Sequence, residues 1–261
     1  MCLIAFNWQP QQEMKLVLIA NRDEFHARPT RALHWWDWPD GAIAGRDEQA
    51  GGTWLAANRA GRFAAITNFR QLDAPVGEYS RGELPLAWIQ YAGSAEAFVE
   101  ILESTKSTYS PFSLLIGDMN ENGGSLWLIG TYESAHRIEP GTHALSNHKL
   151  DAPWPKAARV VQRLGDHLHA SSPPSTGDLF NILNDRQPAP DDELPDTGIG
   201  LEMERFLSPP MIVSQRYGTR SASVLQIGPI TRMAERSFDS AGNLLGQRQF
   251  SWPSTSNKAS R

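Results

Sequence analysis

Residues 1–8 read Met1-Cys2-Leu3-Ile4-Ala5-Phe6-Asn7-Trp8, and residues 16–24 read Leu16-Val17-Leu18-Ile19-Ala20-Asn21-Arg22-Asp23-Glu24. Apolar residues dominate 3–8 and 16–20, which is typical of two short β-strands. If these strands pair as an antiparallel hairpin, Cys2 lies beside the polar residues 21–24, where the second strand ends. The sequence therefore predicts that a thiol and several charged side chains lie together at one edge of a sheet.

Cys2 is the only cysteine in the 261-residue sequence, and it directly follows Met1. A small second residue permits removal of Met1, after which Cys2 would carry both a thiol and a free α-amine. An α-amine with a pKa of about 7.7 to 8.0 can accept the thiol proton near neutral pH. Cys2 is therefore a candidate nucleophile that carries its own base. The alternative is a small buried apolar residue without chemical function, as many free cysteines are.

Composition narrows the class of protein. A charged fraction of 20% and a hydrophobic fraction of 40% are close to those of ordinary globular domains. We predict one domain over residues 1–252 and a flexible tail over 253–261. A single cysteine excludes an internal disulfide and a CxxC metal site.

Charge and hydropathy also limit partners and location. A net charge of −5 argues against a nucleic-acid partner, since phosphate neutralisation needs clustered lysine and arginine. The apolar run 16–20 is too short for a membrane span or a signal-peptide core, so we expect a cytoplasmic location. His167 and His169 stand near the end of a predicted helix and are explained by its dipole, so no metal site is expected.

The periodicity predicts strands, then helices, then strands, which is typical of an α+β fold with sheet and helix layers. The predicted strands are 3–8, 16–20, 53–58, 63–68, 112–117, 125–130, one ending near Ser146, 211–215, 221–228 and 232–238. Two helices are predicted within 82–103, one from Pro155 to about Gly165, and one over 177–183. Residues 185–200, rich in proline and acidic side chains, are predicted to form a surface loop, with a lid as the alternative.

Several polar residues follow predicted strands and are candidates for chemistry. Within 21–24, an arginine could lower the thiol pKa or hold an anionic substrate, and a carboxylate could hold the α-ammonium group; the alternative is a surface salt bridge. Asn68 and Asn147 each end a strand with a carboxamide, which suits an oxyanion hole but also an ordinary turn. Arg220 is a candidate carboxylate clamp, or a simple ion-pair partner.

Taken in order, these segments resemble the NRDE family, to which animal transport and Golgi organisation proteins belong. The resemblance spans residues 1 to about 228 and rests on Met1-Cys2-Leu3-Ile4, Ala20-Asn21-Arg22-Asp23-Glu24-Phe25, Arg28-Pro29-Thr30, Gly51-Gly52-Thr53-Trp54-Leu55, Ile66-Thr67-Asn68-Phe69-Arg70, Leu145-Ser146-Asn147, Pro153-Trp154-Pro155-Lys156 and Tyr217-Gly218-Thr219-Arg220-Ser221.

That family in turn resembles N-terminal nucleophile hydrolases such as penicillin V acylases and bile salt hydrolases, which implies a four-layer αββα sandwich of two mainly antiparallel sheets. By this analogy Cys2 is the nucleophile, Asn68 and Asn147 hold the oxyanion and orient the amine, and Arg220 matches the arginine of a late strand. The hydrolases place arginine and aspartate three residues apart where this chain has Asn21 and Glu24, so Arg22 and Asp23 are candidate substitutes and the resemblance assigns no roles within 21–24.

The resemblance implies hydrolysis of a small-molecule amide or acyl thioester, which requires no cofactor. The alternative is non-catalytic binding in the same cleft, because NRDE proteins are associated with haem trafficking and, in animals, with acyl-CoA and lipid metabolism. Haem is then the ligand or the cargo. The tryptophans at 35, 36, 38 and 54 would permit an apolar cleft, although tryptophan is also common core filling.

Overall fold

Two antiparallel sheets stack face to face in the computed structural model, which describes residues 2–38, 41–119, 124–170 and 174–254. The strands of the described residues are β1 (Cys2–Trp8), β2 (Leu16–Phe25), β3 (Thr30–Trp35), β4 (Ala42–Asp47), β5 (Leu55–Asn58), β6 (Arg62–Asn68), β7 (Phe112–Asp118), β8 (Ser125–Gly130), β9 (Glu133–Arg137), β10 (Gly141–Leu145), β11 (Tyr217–Ile227), β12 (Ile230–Phe238) and β13 (Leu244–Pro253). One sheet has the order β10-β1-β2-β11-β12-β13 and the other has the order β3-β4-β5-β6-β7-β8-β9.

Helices cover the outer face of each sheet. The helices of the described residues are α1 (Leu84–Gln90), α2 (Ala95–Thr105), α3 (Pro155–Leu168), α4 (Thr176–Leu183) and α5 (Leu201–Phe206), and the first four form these outer layers. Buried residues of α1 and α2 cluster with the seven-stranded sheet, and those of α3 and α4 cluster with the six-stranded sheet. The layer order is therefore αββα, which confirms the predicted α+β fold.

The side chains of β1 point alternately to its two faces, so this strand contributes residues to two separate cores. Ile4, Phe6 and Trp8 point into the core between the two sheets, whereas Leu3 and Ala5 pack under the helices. Successive side chains of a strand point to opposite faces, so one apolar strand supplies both cores. This is why 3–8 is almost uninterruptedly apolar rather than alternating with polar residues.

The hairpin of β1 and β2 has the register that brings the thiol to the polar segment. Cys2 pairs with Arg22, and Leu3 pairs with Asn21. On the other side of β2, β11 pairs with it through Thr219 opposite Asp23. The register shifts between Thr219 and Ser221, so Arg220 is the extra residue of a bulge.

Some sequence predictions were wrong. Residues 211–215 form no strand, because their N–H groups bond elsewhere: Met211 donates to the Asp185 carbonyl, and Ile212 donates to the Thr219 hydroxyl. Four strands were missed, namely β3, β4, β9 and β13. The helix α3 continues beyond Gly165 to Leu168.

Other predictions were confirmed or stay open. The two helices within 82–103 are present as α1 and α2, and β7 pairs with β8 as expected for a hairpin. The turn between β7 and β8 includes positions 120–123, and the predicted tail includes positions 255–261. Both sets of positions lie outside the described residues. Pro253, the first residue of the predicted tail, belongs to β13. The assignment of residues 1–252 to a single domain stays a prediction.

One buried carboxyl links the two sheets. Glu235 of β12 is 3% exposed, and its Oε1 accepts a hydrogen bond of 2.9 Å from the Leu33 N–H of β3. Leu33 lies in an irregularity of the β3–β4 pairing, so its N–H lacks the usual ladder partner. Burial raises the pKa of Glu235 to about 7, against the favourable effect of the Leu33 hydrogen bond.

We therefore expect the Glu235→Gln variant to lose a pH dependence of stability that the wild-type protein shows. With a folded-state pKa of about 7 and a usual value of 4.5, folded Glu235 binds more protons than the unfolded chain between these pH values. Wild-type stability consequently falls as pH rises from 5 to 8, by about 3 kcal/mol at most. Urea denaturation of both proteins at pH 5 and pH 8 measures the effect. Glu100→Gln, which changes an exposed carboxylate on α2, is the control. An equal stability difference between wild type and Glu235→Gln at the two pH values would contradict the prediction.

Candidate functional site

A cleft of about 870 Å³ opens beside Cys2. Cys2, Asp23 and Asn68 line it together with Arg22 and Glu24. One wall comes from the loop and turn 76–82, and another part of the lining includes Met203 and Phe206 of α5 and Leu207 just after it. Five of the eight candidate site residues therefore line one cleft.

Cys2 is held at both its nitrogen and its sulfur. Its backbone nitrogen donates to Asn147 Oδ1 at 3.3 Å, and its Sγ accepts a hydrogen bond from the Asp23 N–H. Burial of the sulfur raises the pKa of the Cys2 thiol, and the charge of Asp23 raises it further. Arg22 and the Asp23 N–H act in the opposite direction. A base close to the sulfur is therefore needed to produce the thiolate.

Asn147 joins Cys2 to Asn68. Its Nδ2 donates to Asn68 Oδ1 at 2.7 Å and to the Asn68 carbonyl at 3.0 Å, while its Oδ1 accepts from Cys2. Asn147 is completely buried and adopts the left-handed backbone region, with φ of 58°, just after β10. Asparagine tolerates this region better than most residues. Asn68 Oδ1 already accepts a hydrogen bond from Asn147, so Asn68 Nδ2 is the group that is available to a ligand.

Asp23 is buried between Thr219 and the helix layer. The Thr219 hydroxyl donates to Asp23 Oδ1 at 2.6 Å. Burial raises the pKa of Asp23, and the charge of Lys156 opposes this increase. Lys156 is itself 2% exposed, and its Nζ donates to the Leu207 carbonyl at 3.1 Å. Burial lowers the pKa of Lys156 to about 8, against the attraction of Asp23. A buried pair of opposite charges therefore lies behind Cys2.

Arg22 and Glu24 belong to an ion-pair network at the cleft. Arg22 lies 3.3 Å from Asp47 and 3.9 Å from Glu24, and its guanidinium stacks 4.4 Å from the centre of the Trp54 ring. Arg28 donates to the same Asp47 carboxylate at 2.7 Å. Burial opposes ionisation of Asp47, but the Arg28 hydrogen bond lowers its pKa overall. The network keeps Arg22 directed toward the thiol side of the sheet.

The other two candidates lie outside the cleft. Asn21 is buried on the opposite face of β2, where its Nδ2 donates to the carbonyls of Leu183 and Pro210. Arg220 extends from its bulge and donates to the carbonyls of Phe25 and Arg28. Both side chains donate hydrogen bonds to backbone carbonyls, and the structure does not bring either side chain to Cys2.

No sequence pattern pointed to a role for Lys156, Asp47, Tyr217 or Arg81, although Lys156 and Tyr217 lie within motifs of the family resemblance. Asp47, Tyr217 and Arg81 line the cleft, and Lys156 interacts electrostatically with both Cys2 and Asp23. A lysine on an amphipathic helix normally points to solvent, so only the folded structure reveals that this one is buried.

Two kinds of feature are absent from the described residues, a metal-binding cluster and a membrane-spanning helix. Within the described ranges, no group of three or more histidine, cysteine, aspartate or glutamate side chains is arranged to hold a metal ion. In the same part of the chain, no helix has both the length and the apolar character needed to cross a membrane.

Comparison with known proteins identifies the relatives of this chain. The model of the family described as Transport and Golgi organisation 2 matches residues 1–239. The Bos taurus Transport and Golgi organization protein 2 homolog is 27% identical over 285 aligned residues, which cover 99% of this chain and 98% of that protein. The Homo sapiens homolog is 29% identical, with coverage of 87% and 88%. These matches confirm the family resemblance found in the sequence.

A solved structure confirms the fold. The mutant C2A conjugated bile acid hydrolase from Clostridium perfringens superposes with a TM-score of 0.50 over 98% of each chain, at 11% sequence identity. Such low identity supports a shared N-terminal nucleophile hydrolase-like fold and says nothing about the substrate of this chain.

Proposed function

The chain belongs to the Transport and Golgi organisation 2 family, and we propose that it is a cysteine N-terminal nucleophile hydrolase that cleaves a small-molecule amide or acyl thioester. The observation that carries this proposal is the position of Asn147. Its side chain accepts from the Cys2 nitrogen at 3.3 Å and donates to Asn68 at 2.7 Å. Asn147 thereby contacts both the Cys2 nitrogen, which can become an α-amine, and Asn68, which is the candidate oxyanion donor. The Cys2 thiol lies beside them in the cleft.

Removal of Met1, which lies outside the described residues, would convert the Cys2 nitrogen into an α-amine. This amine takes the proton from the Sγ, and the resulting thiolate attacks the carbonyl carbon of the substrate. The carbonyl oxygen becomes an oxyanion, which Asn68 Nδ2 stabilises by a hydrogen bond. When the tetrahedral intermediate collapses, the ammonium group gives its proton to the leaving nitrogen or sulfur, and the acyl group stays on Sγ.

Water completes the reaction. The α-amine accepts a proton from water as the oxygen attacks the acyl-thioester carbon, and a second oxyanion forms at the same donor. Collapse breaks the C–S bond, releases the carboxylic acid and returns the proton to the thiol. Asp23 supports both stages, since its N–H donates to Sγ and its charge favours the ammonium form of the amine.

The walls of the cleft favour an acyl group as the bound part of the substrate. Phe25 and Met203 line the cleft and are 58% and 46% exposed. Phe206 and Tyr217 lie beside them, and Phe25 packs edge-to-face on Tyr217 with ring centres 5.2 Å apart. An aliphatic chain placed against these side chains would bury apolar surface of both partners.

Intact-mass spectrometry tests the proposal. We expect the purified protein to begin at Cys2 and to gain the mass of one acyl group during incubation with a short panel of acyl amides and acyl thioesters. Peptide mapping should assign the acyl group to Cys2, and the Cys2→Ser variant serves as the matched control with a less nucleophilic hydroxyl. A chain that retains Met1, or one that hydrolyses the panel without any dependence on Cys2, would contradict this function.

The second candidate function is non-catalytic binding of a ligand in the same cleft. The ligand would be haem, an acyl-CoA or another lipid. The raised pKa of the Cys2 thiol favours it, because a neutral thiol is a poor nucleophile while an apolar wall still binds ligands. This function tolerates a retained Met1. Titration with haem, followed by absorption spectroscopy on wild type and Cys2→Ser, tests the haem version, which the absence of saturable binding would remove.

A further inference from the structure

Among the described residues of the cleft, several charged ones form ion pairs with one another, whereas Arg81 does not. Arg22 and Arg28 share Asp47 and Glu24, at N–O distances from 2.7 to 3.9 Å. Arg81 also lines the cleft, but no hydrogen bond or ion pair joins its guanidinium to any described residue. Glu78 lines the same wall without forming an ion pair to Arg81. The cleft therefore contains one guanidinium whose donors are available.

The backbone fixes Arg81 in this position. Thr53 N–H donates to the Gly82 carbonyl at 2.9 Å, so the turn that carries Arg81 is attached to the segment before β5. Gly52 is required for this approach, because a Cβ at this position would lie 2.4 Å from the Gly82 carbonyl carbon and oxygen. Arg81 begins a short 3₁₀ turn, Arg81–Glu83, which leads directly into α1. The guanidinium is thus presented by rigid backbone rather than by a free loop.

Arg81 is also affected by the thiol side of the cleft. It is partly buried, and burial lowers its pKa, while the charges of Cys2 and Glu24 raise it and that of Arg28 lowers it. An arginine stays protonated in proteins despite such effects. A partly desolvated cation without a partner is unfavourable, and an anion in the cleft would accept two charge-assisted hydrogen bonds from the forked N–H groups of the guanidinium.

We propose that Arg81 determines specificity by binding an anionic group, a carboxylate or a phosphate, on the part of the substrate that leaves with the amide nitrogen or thioester sulfur. The apolar side chains Phe25, Met203 and Phe206 receive the acyl chain, so the charged part of the substrate lies toward the wall 76–82. Cys2 lines the same cleft and interacts electrostatically with Arg81. This proposal rests on the proposed hydrolase function, and it adds the chemical class of the leaving group.

Matched pairs of substrates test the assignment. N-decanoylglycine and N-decanoylglycinamide differ in a carboxylate against a carboxamide, and S-decanoyl-4′-phosphopantetheine differs from S-decanoylpantetheine only in a phosphate. We expect wild type to prefer the anionic member of at least one pair, and Arg81→Gln to lose about 10- to 100-fold in kcat/KM on that member. On the neutral member the loss should stay within about threefold. The pair that responds identifies carboxylate or phosphate as the recognised anion.

Two further variants make the result specific. Arg81→Lys keeps the charge without the planar fork and should retain part of the preference. Arg31→Gln removes an exposed arginine, 57% accessible and paired with Glu48, and should leave the preference unchanged. Turnover by wild type with equal kcat/KM on charged and neutral members would overturn the proposal, as would an unchanged preference in Arg81→Gln.

A binding measurement separates this proposal from the hydrolase function. In the Cys2→Ala background, calorimetric titration with the same ligands should show about 10-fold or greater weakening for the anionic ligand when Arg81 is also replaced by Gln. If no substrate is turned over but this difference persists, the hydrolase function fails and the anion site stands. If neither anionic ligand binds Cys2→Ala, or if the double variant binds the anionic ligand equally well, the anion site fails. Thermal unfolding of each variant confirms that the binding data refer to folded protein.

Discussion

Replacing Cys2 with alanine is expected to abolish hydrolysis of every acyl substrate that wild type turns over, with a loss in kcat of at least about 10,000-fold. Alanine has no atom that can bond to the acyl carbon, so the covalent intermediate cannot form. Cys2 begins β1 and is only partly buried, and the Asn147 contact is made by its backbone nitrogen. The free energy of unfolding should therefore change by less than about 1 kcal/mol. Steady-state kinetics and urea denaturation measure the two quantities.

Cys2→Ser separates the loss of the nucleophile from the loss of a contact. It keeps a side chain of similar size next to the same nitrogen, so it should bind substrate like wild type and react far more slowly. If Cys2→Ala keeps more than about one tenth of the wild-type rate, another group performs the reaction and Cys2 is a structural residue. Binding of an acyl ligand by Cys2→Ala is expected in either case, since the apolar wall is unchanged.

The position of Cys2 beside 21–24 could be predicted because it depends on local sequence alone. Two apolar segments close in the chain pair most simply as a hairpin, and the observed register places Cys2 opposite Arg22. The edge strands β3, β9 and β13 carry polar, exposed residues, so their patterns resemble loops. Residues 211–215 showed the reverse case, since the apolar run 211–213 has the composition of a strand, although it is a loop whose first two residues are buried.

The roles of neighbouring residues within 21–24 depend on which layer each face of β2 meets. Odd-numbered residues such as Val17 and Ile19 pack under the helices, and even-numbered ones such as Leu18 and Ala20 face the other sheet. Asn21 follows the first pattern and bonds to backbone near α4, whereas Arg22 follows the second and lies on the thiol side. Sequence alone does not reveal which layer lies on which face. The bulge at Arg220 likewise depends on pairing with a strand almost 200 residues away.

Asn68→Ala is the second variant for which a large effect is expected, with kcat lowered about 100- to 1,000-fold and KM within about threefold of wild type. The reason is that a donor to the oxyanion acts on the transition state and hardly on the bound substrate. Asn7→Ala provides the control, because Asn7 donates to Thr142 at 2.8 Å on β10 and does not line the cleft. Steady-state kinetics on one substrate suffice. An unchanged kcat with a raised KM would assign Asn68 to substrate binding instead.

Asn147→Ala distinguishes the oxyanion donor from the residue that orients the amine. Asn147 Oδ1 accepts from the Cys2 nitrogen, and such an acceptor favours the ammonium form of an α-amine. Its removal should lower the pKa of the amine, so the acidic limb of the kcat/KM profile should move to lower pH. The Asn68→Ala profile should keep the wild-type position, because Asn68 donates to the oxyanion and leaves the contact between Asn147 and Cys2 in place. The two losses should also be far from additive in the double variant, since Asn147 Nδ2 holds Asn68 Oδ1 at 2.7 Å and each variant already disturbs this shared contact. Additive losses with identical pH profiles would mean that the two asparagines act independently of the amine.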